Sequence, residues 1–173
     1  MNRAVDSKSY IVGALTLNAF LVFNTFIVRH LVRLYAAFDG DLLEAIVLGE
    51  VAHHNLSDYL ARATEATRTG TPPVSPVPDR SDYLPTNAFS IAQATGIPRQ
   101  TVRRKVKALV ARGWLLEDKA GLIVSPQPFE HFRQFNADLS ADILSTFNTA
   151  LKLIRSAEAP TGAGSARRSR TRR

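Results

Sequence analysis

The longest apolar pattern of the chain lies near its N-terminus. Twenty residues, SYIVGALTLNAFLVFNTFIV at 9–28, contain no charged side chain, and apolar residues continue at helical spacing past Arg29. This pattern predicts a single helix over 9–38. The helix should end at the sequence DGD, where Gly40 breaks it and Asp41 can cap the next helix. Residues 42–55 repeat the helical spacing, and we expect that second helix to continue towards Ala63.

The apolar pattern is interrupted at 67–85 and resumes after 127. The first of these segments, TRTGTPPVSPVPDRSDYLP, contains five prolines and is predicted to be a loop or semi-rigid linker. From Pro128 to 155, apolar residues recur in steps of three and four, which predicts one long amphipathic helix with Pro128 in its first turn. The last segment, 157–173, is rich in Ala, Gly, Ser, Thr and Arg and is expected to be disordered.

The segment 86–126 has a different organisation, with two short helices followed by a hairpin. Asn87 can cap a first helix, whose apolar face we assign to Phe89, Ile91 and Ala92, and Gly96 can provide the turn that ends it. Pro98 then opens a second helix over 98–112. After it, the runs WLLE and LIVS are separated by DKAG, which predicts a β-hairpin.

The second of these helices carries the strongest charge pattern in the chain. Between Ile97 and Gly113 there are six basic residues and no acidic one. Val102, Val106, Leu109 and Val110 should face inward, so most of the basic residues project outward from the N-terminal half. This arrangement favours nucleic-acid binding over a merely solvated helix face.

The sequence SIAQATGIPRQTVRRKVKALVARGWL resembles the winged helix-turn-helix of bacterial transcriptional regulators, and is most similar to MarR-type regulators. The resemblance covers 86–125. It implies double-stranded DNA as partner, with the helix 98–112 as recognition helix in the major groove. It also implies dimerisation through the flanking long helices, and a small-molecule effector bound between the dimer interface and the DNA-binding lobes.

The resemblance and the chemistry of base edges together assign roles to individual side chains. Arginine can bind guanine through two hydrogen bonds, and glutamine can bind adenine in the same way. Gln100, Arg103 and Arg104 are therefore candidate base contacts, and Arg99, Thr101, Lys107 and Arg112 are candidate phosphate contacts. Lys119, the wing's only basic residue, is a further candidate DNA contact, but it lies beside Glu117 and Asp118, so a strong wing contact to the minor groove is not expected.

Overall charge and composition modify this interpretation only slightly. The formal net charge is +7, but five arginines lie in the last seven residues, so the rest of the chain carries only +2. The basic helix face therefore arises from local clustering, and the arginine-rich tail could add phosphate attraction or simply solubility. The absence of cysteine excludes disulfides and thiolate metal sites and agrees with a cytoplasmic location.

Other site chemistry finds little support in the sequence. His53 and His54 are adjacent, and Glu50 with His54 provides only two potential ligands, so no metal or other cofactor is predicted. No nucleophile triad, phosphate-binding glycine loop or catalytic carboxylate pair is present, so we do not expect an enzyme. Phe129, Phe132 and Phe135 could line an effector pocket, although plain core or dimer packing is favoured.

The apolar segment 9–28 has two interpretations. It is long enough to cross a membrane, but Asn18 and Asn24 would be costly in hydrocarbon, and the predicted helix of 30 residues is about 45 Å long. Burial in a dimer interface is the favoured interpretation.

The predicted fold class is mainly α with a small β-hairpin wing, a winged helix-turn-helix flanked by long N- and C-terminal dimerisation helices. Its parts are N-terminal helices at 1–66, a proline-rich linker at 67–85, the winged helix-turn-helix at 86–126, a long dimerisation helix at 127–156 and a basic tail at 157–173. The predicted function is that of a homodimeric, sequence-specific transcriptional regulator. The alternatives are a membrane-anchored DNA-binding regulator and a winged-helix protein-interaction module that does not bind DNA.

Overall fold

The described part of the chain is mainly helical and includes a small antiparallel sheet, as the sequence predicts for its fold class. A computed structural model describes residues 7–71 and 78–158, and most of the predicted tail at 157–173 and part of the predicted linker lie outside these ranges. In chain order the helices and strands are α1 (Ser7–Ala37), α2 (Leu42–Asn55), α3 (Ser57–Thr69), α4 (Ala88–Thr95), α5 (Arg99–Ala111), β1 (Leu115–Asp118), β2 (Gly121–Val124), α6 (Gln127–His131) and α7 (Arg133–Glu158).

Contacts divide the chain into two compact units. One is formed by α1 up to His30 and α7 from Ala137, and the other by Leu31–Asn136. In the first unit Ala19 and Ala150 are buried, and the ring of Phe23 meets that of Phe147 edge-on, with centroids 5.2 Å apart. The phenylalanine pair provides apolar contact between α1 and α7.

The second unit has a continuous hydrophobic core. α2, α4, α5 and the hairpin each contribute side chains that are almost fully buried. The most buried of them are Val47, Val51, Ile91, Val102, Leu109 and Leu115. Four residues of the helix predicted over 98–112, now α5, were expected to face inward. This is confirmed for Val102, Val106 and Leu109, whereas Val110 is only partly buried.

Asn55, at the end of α2, ties three parts of this core together. Its side-chain amide donates to the carbonyls of Leu84 (2.7 Å) and Leu122 (3.1 Å), and its side-chain oxygen accepts from the backbone N–H of Val124 (2.8 Å). Asn55 is fully buried, so these bonds replace the water that its amide would otherwise need. The last turn of α2 is thereby fixed to the hairpin and to the segment before α4.

The predicted helix ends are confirmed at both caps. At the start of α2 the Asp41 side chain accepts a hydrogen bond from the N–H of Glu44 (3.0 Å). The preceding Gly40 has φ +89°, in the left-handed region that ends α1. Asn87 accepts from the N–H groups of Phe89 (2.9 Å) and Ser90 (3.1 Å) at the start of α4. Both caps satisfy N–H groups that have no partner inside the helix.

Two helices predicted as continuous are each broken, so these predictions were wrong. The helix expected to run from 42 towards Ala63 stops at Leu56, where φ is −104° and ψ 11°, and α3 starts afresh at Ser57. The helix expected over 128–155 is divided at Phe132, whose ring lies 5.2 Å from Phe38 and 5.3 Å from Trp114. Tertiary contacts of Asn55 and Phe132 thus override a helical period that continues through both positions.

The segment predicted as a linker at 67–85 contains regular structure at both ends. α3 continues to Thr69, and residues Arg80–Asp82 form a 3-10 turn that begins with a capping box between Asp79 and Asp82. Just beyond it, Thr86 pairs with Leu122 of β2 through two backbone hydrogen bonds of 3.1 and 2.8 Å. This short extension of the sheet was not foreseen from the sequence, because a single paired residue leaves no periodicity.

Candidate nucleic-acid interface

The candidate interface is built on the unit α4, turn and α5. Gly96 adopts φ +71°, a left-handed conformation that favours glycine, and Ile97 directly after it is buried. Pro98 was predicted as the first helical residue, but it precedes the helix in an extended conformation with ψ 133°, and α5 begins at Arg99. The turn and the buried Ile97 fix the direction in which the first turns of α5 project.

The outer face of α5 carries the residues predicted to contact DNA. Arg99, Gln100, Arg103, Arg104 and Lys107 are all exposed, and Thr101 is half-buried near the start of the helix. The buried face is held by Val102, Val106 and Leu109, so the helix cannot rotate without exposing them. Four cations are thereby held on one accessible surface of a rigid element.

The remaining two basic residues of this segment pair with carboxylates of the fold, and the Arg112 side chain stays 39% exposed. Lys105 is 5% exposed, and its ammonium group is ion-paired with Asp41, the residue that caps α2. The guanidinium of Arg112 lies 3.3 Å from a carboxylate oxygen of the buried Glu44, 3.7 Å from one of Asp39, and over the ring of Trp114 at 5.3 Å.

These ion pairs give Arg112 a contact within the fold, and its predicted phosphate contact stays a prediction. A buried carboxylate such as Glu44 requires a compensating cation, and Arg112 supplies it. The structure therefore gives Arg112 a role in fastening the end of α5 to α2. The charge pattern of the sequence could not reveal this, because Asp39, Asp41 and Glu44 lie more than fifty residues away.

Phe89 occupies a position that the sequence did not suggest. It was predicted to belong to the buried face of α4, but it is 50% exposed, so that assignment was wrong; Ile91 is buried as predicted. The guanidinium of Arg99 lies over the Phe89 ring at 5.5 Å from its centroid. A cation held on an aromatic face in this way loses part of its side-chain freedom.

The hairpin next to α5 has a well-defined turn. The Asp118 side chain accepts from the N–H groups of Ala120 (2.8 Å) and Gly121 (3.2 Å), and it lies 3.6 Å from Arg80. Gly121 has φ +132°, and a Cβ atom there would lie 2.4 Å from the Thr86 carbonyl oxygen, so only glycine allows the two backbones to pair. Lys119, the predicted wing contact, is exposed at the tip of this turn.

An open groove runs between α5, the start of α4 and strand β1. Cations from α5 line it together with one aromatic ring and one carboxylate. The side chains concerned are Phe89, Arg99, Arg103, Arg104, Lys107 and Glu117. The groove therefore joins the basic face of α5 to the first strand of the hairpin.

Of the three phenylalanines considered for an effector pocket, Phe132 packs within an aromatic cluster. Its ring contacts those of Phe38, Trp114, His131 and Phe135, with centroid distances of 4.7 to 6.0 Å. Phe129 is 42% exposed. Phe132 is thus a packing residue, and an effector site remains a prediction.

Within residues 7–71 and 78–158, no group of three or more His, Cys, Asp or Glu side chains is arranged to hold a metal ion.

The part of α1 from Thr16 to Ala37 is long and apolar enough to cross a membrane by length and composition, with a mean hydropathy of 1.3. Only 6% of its most apolar window is buried, so the described residues leave most of this surface uncovered.

No family model matches the chain, and comparison with curated proteins and with solved structures likewise gave no match.

Proposed function

We propose that this protein is a sequence-specific DNA-binding transcriptional regulator that acts in the cytoplasm as a homodimer. In this proposal α4 and α5 form a helix-turn-helix, with α5 as recognition helix, and the hairpin forms the wing, as in MarR-type regulators. One observation carries the proposal: the exposed face of α5 presents Arg99, Arg103, Arg104 and Lys107 and no carboxylate of its own. A helix with such a face fits the major groove of DNA.

The division of the basic residues supports this interpretation over a solvated surface. Lys105 and Arg112 pair with carboxylates of the fold, whereas the side chains of Arg103, Arg104 and Lys107 form no ion pair or hydrogen bond with the described residues. Those three side chains are available to contact bases or phosphates. Gln100, exposed one turn before Arg103 and Arg104, completes a set that can read guanine and adenine edges.

The first expected result is a salt-dependent affinity for double-stranded DNA. Each phosphate neutralised by a cation contributes about −0.9 to the slope of log affinity against log salt concentration. Four cations per protomer predict a slope of about −4 for one bound protomer and about −7 for two. Fluorescence anisotropy titrations of a labelled duplex at several salt concentrations measure it, using sites selected by the protein from a random DNA pool.

A flat salt dependence, or no binding at low salt, would contradict DNA recognition and favour the protein-interaction module. The selected sequences give a second readout. A homodimer should select two half-sites related by a two-fold axis, with centres about 34 Å or a multiple of it apart.

The exposed surface of α1 supports self-association. Six apolar side chains, 45% to 61% exposed, lie three, four and seven positions on either side of Asn24. They are Leu17, Phe20, Leu21, Ile27, Val28 and Leu31. In an antiparallel pair of α1 helices related by a two-fold axis at Asn24, a residue that precedes Asn24 by a given number of positions would meet the partner's residue that follows Asn24 by the same number. The carboxamide of Asn24 is both donor and acceptor, so it can pair with the partner's Asn24.

Leu21→Arg is expected to convert the dimer into a monomer and to weaken DNA binding. Leu21 is 48% exposed, so the substitution leaves most of the packing within one chain intact while placing a charge in the apolar contact. Size exclusion with light scattering should give twice the chain mass of 19.0 kDa for the unaltered protein and the chain mass for the variant.

The matched control is Ser145→Arg, which adds the same charge at an exposed position of α7. Helical spacing places Ser145 on a different face of α7 from its exposed apolar residues, which are Leu144, Phe147, Leu151 and Ile154. It should remain dimeric. Sedimentation of the unaltered protein with membranes, and its release only by detergent, would instead favour the membrane-anchored regulator.

A further inference from the structure

Glu117, on strand β1, is the one carboxylate among the described residues that line the groove beside α5. Arg99, Arg103, Arg104 and Lys107 line the same groove. Despite these neighbours, the Glu117 side chain forms no ion pair or hydrogen bond with any residue that the structure describes. Its carboxylate is therefore exposed on the surface that would face DNA.

The adjacent Asp118, by contrast, is a carboxylate whose contacts stabilise the hairpin. Asp118 accepts two backbone hydrogen bonds within the turn and lies near Arg80, so the fold uses its charge. Glu117 has no comparable part in the fold. Its position in the groove therefore needs a different explanation.

A carboxylate on a DNA-facing surface lowers affinity, because it repels phosphates. What it can add is discrimination, since an ionised carboxylate accepts hydrogen bonds and donates none. In the major groove guanine presents two acceptors, and thymine presents an acceptor with a methyl group. Adenine presents an amine beside an acceptor, whereas cytosine presents its N4 amine alone.

We propose that Glu117 is a specificity-determining residue that selects cytosine by accepting a hydrogen bond from its N4 amine. This inference rests on the proposed function. Glu117 reduces the affinity for every sequence and reduces it least where cytosine lies against the groove. The cations of α5 supply affinity for DNA of any sequence, and Glu117 limits which sequences bind tightly.

The test uses the full chain and a duplex selected from a random pool by the unaltered protein. Affinity is then measured for every single-base substitution of that duplex and for an unrelated duplex. The variant Glu117→Gln is expected to bind the unrelated duplex about threefold more tightly, because one repulsive charge is removed. At one cytosine of each half-site its discrimination should fall about tenfold, with adenine gaining most, since glutamine can bond to adenine.

Glu117→Ala serves as a second variant, which should lose the discrimination without the gain for adenine. The matched control is Glu65→Gln, which removes the same charge from an exposed position of α3. It should leave the substitution profile unchanged. Equal thermal unfolding midpoints for the variants and the unaltered protein confirm that the hairpin is intact.

The outcomes separate the two proposals. If the unaltered protein selects a sequence but Glu117→Gln and Glu117→Ala keep its substitution profile, the role of Glu117 is overturned and DNA recognition stands. If the variants bind all duplexes more tightly by one common factor, Glu117 acts only through its charge, and its specificity role is likewise overturned. If the unaltered protein binds no duplex, the proposed function itself fails.

Discussion

Asn55→Ala is expected to lower the free energy of unfolding by about 3 kcal/mol, because three buried hydrogen bonds are lost together. The N–H of Val124 loses its acceptor, and the carbonyls of Leu84 and Leu122 lose a donor. Leu122 retains the bond from Thr86, so most of the cost falls on Val124 and Leu84. A loss of this size is a large share of the ordinary stability of a small domain.

Urea denaturation measures this change, with the fluorescence of the single tryptophan as the signal. Trp114 is 8% exposed in the core of the same unit, so its emission should report the unfolding of the region that Asn55 holds together.

The matched control is Asn87→Ala, which removes the exposed asparagine that caps α4 and should cost about 1 kcal/mol. The two variants delete the same chemical group, so their difference isolates the effect of burial. Equal destabilisation by the two would show that Asn55 does not join α2 to the hairpin as described.

The double variant Arg103→Ala and Arg104→Ala is expected to lose specific DNA affinity by about a hundredfold or more. Each arginine that binds a guanine through two hydrogen bonds contributes about 1–3 kcal/mol of discrimination. Both side chains are exposed and alanine is the stronger helix former, so α5 should remain folded. Anisotropy titrations with the selected duplex measure the loss, and an unchanged urea midpoint excludes unfolding as its cause.

The control for the arginine pair is Lys152→Ala with Arg155→Ala, which removes two charges from exposed positions of α7. It should reduce affinity only slightly through the change in net charge. If both double variants weaken binding equally and for all sequences, α5 acts through charge alone, and the assignment of Arg103 and Arg104 to base contacts is wrong.

The helices and the hairpin were largely predictable because their signals are local. Asn87 and Gly96 mark the ends of α4, and Asp41 marks the start of α2, since capping and left-handed turns depend on residues a few positions apart. The alternation of buried valines with exposed arginines likewise predicts which face of α5 is accessible. The exposure of Arg103 and Arg104 follows from this pattern, whereas their assignment as candidate DNA contacts also rests on the helix-turn-helix resemblance and on the chemistry of base edges.

The breaks at Leu56 and Phe132 were not predictable from the helical period. Asn55 finds partners in residues 29 to 69 positions further along the chain, and Phe132 packs against Phe38 and Trp114. A single polar or aromatic residue in a helical pattern carries no sign of such distant partners. The exposure of Phe89 was missed for the same reason, because the groove that leaves its ring accessible is formed only when α5 and the hairpin are in place.

The sequence by itself determined the order of helices and hairpin, the caps, and the concentration of positive charge on α5, because these depend on neighbours along the chain. Only the tertiary structure decided which of those charges are available. It directs Lys105 and Arg112 to carboxylates that are distant in sequence, and among the residues that the structure describes it leaves the Glu117 carboxylate in the groove without a partner. Ion pairing depends on distance in space, and the sequence gives no measure of that distance.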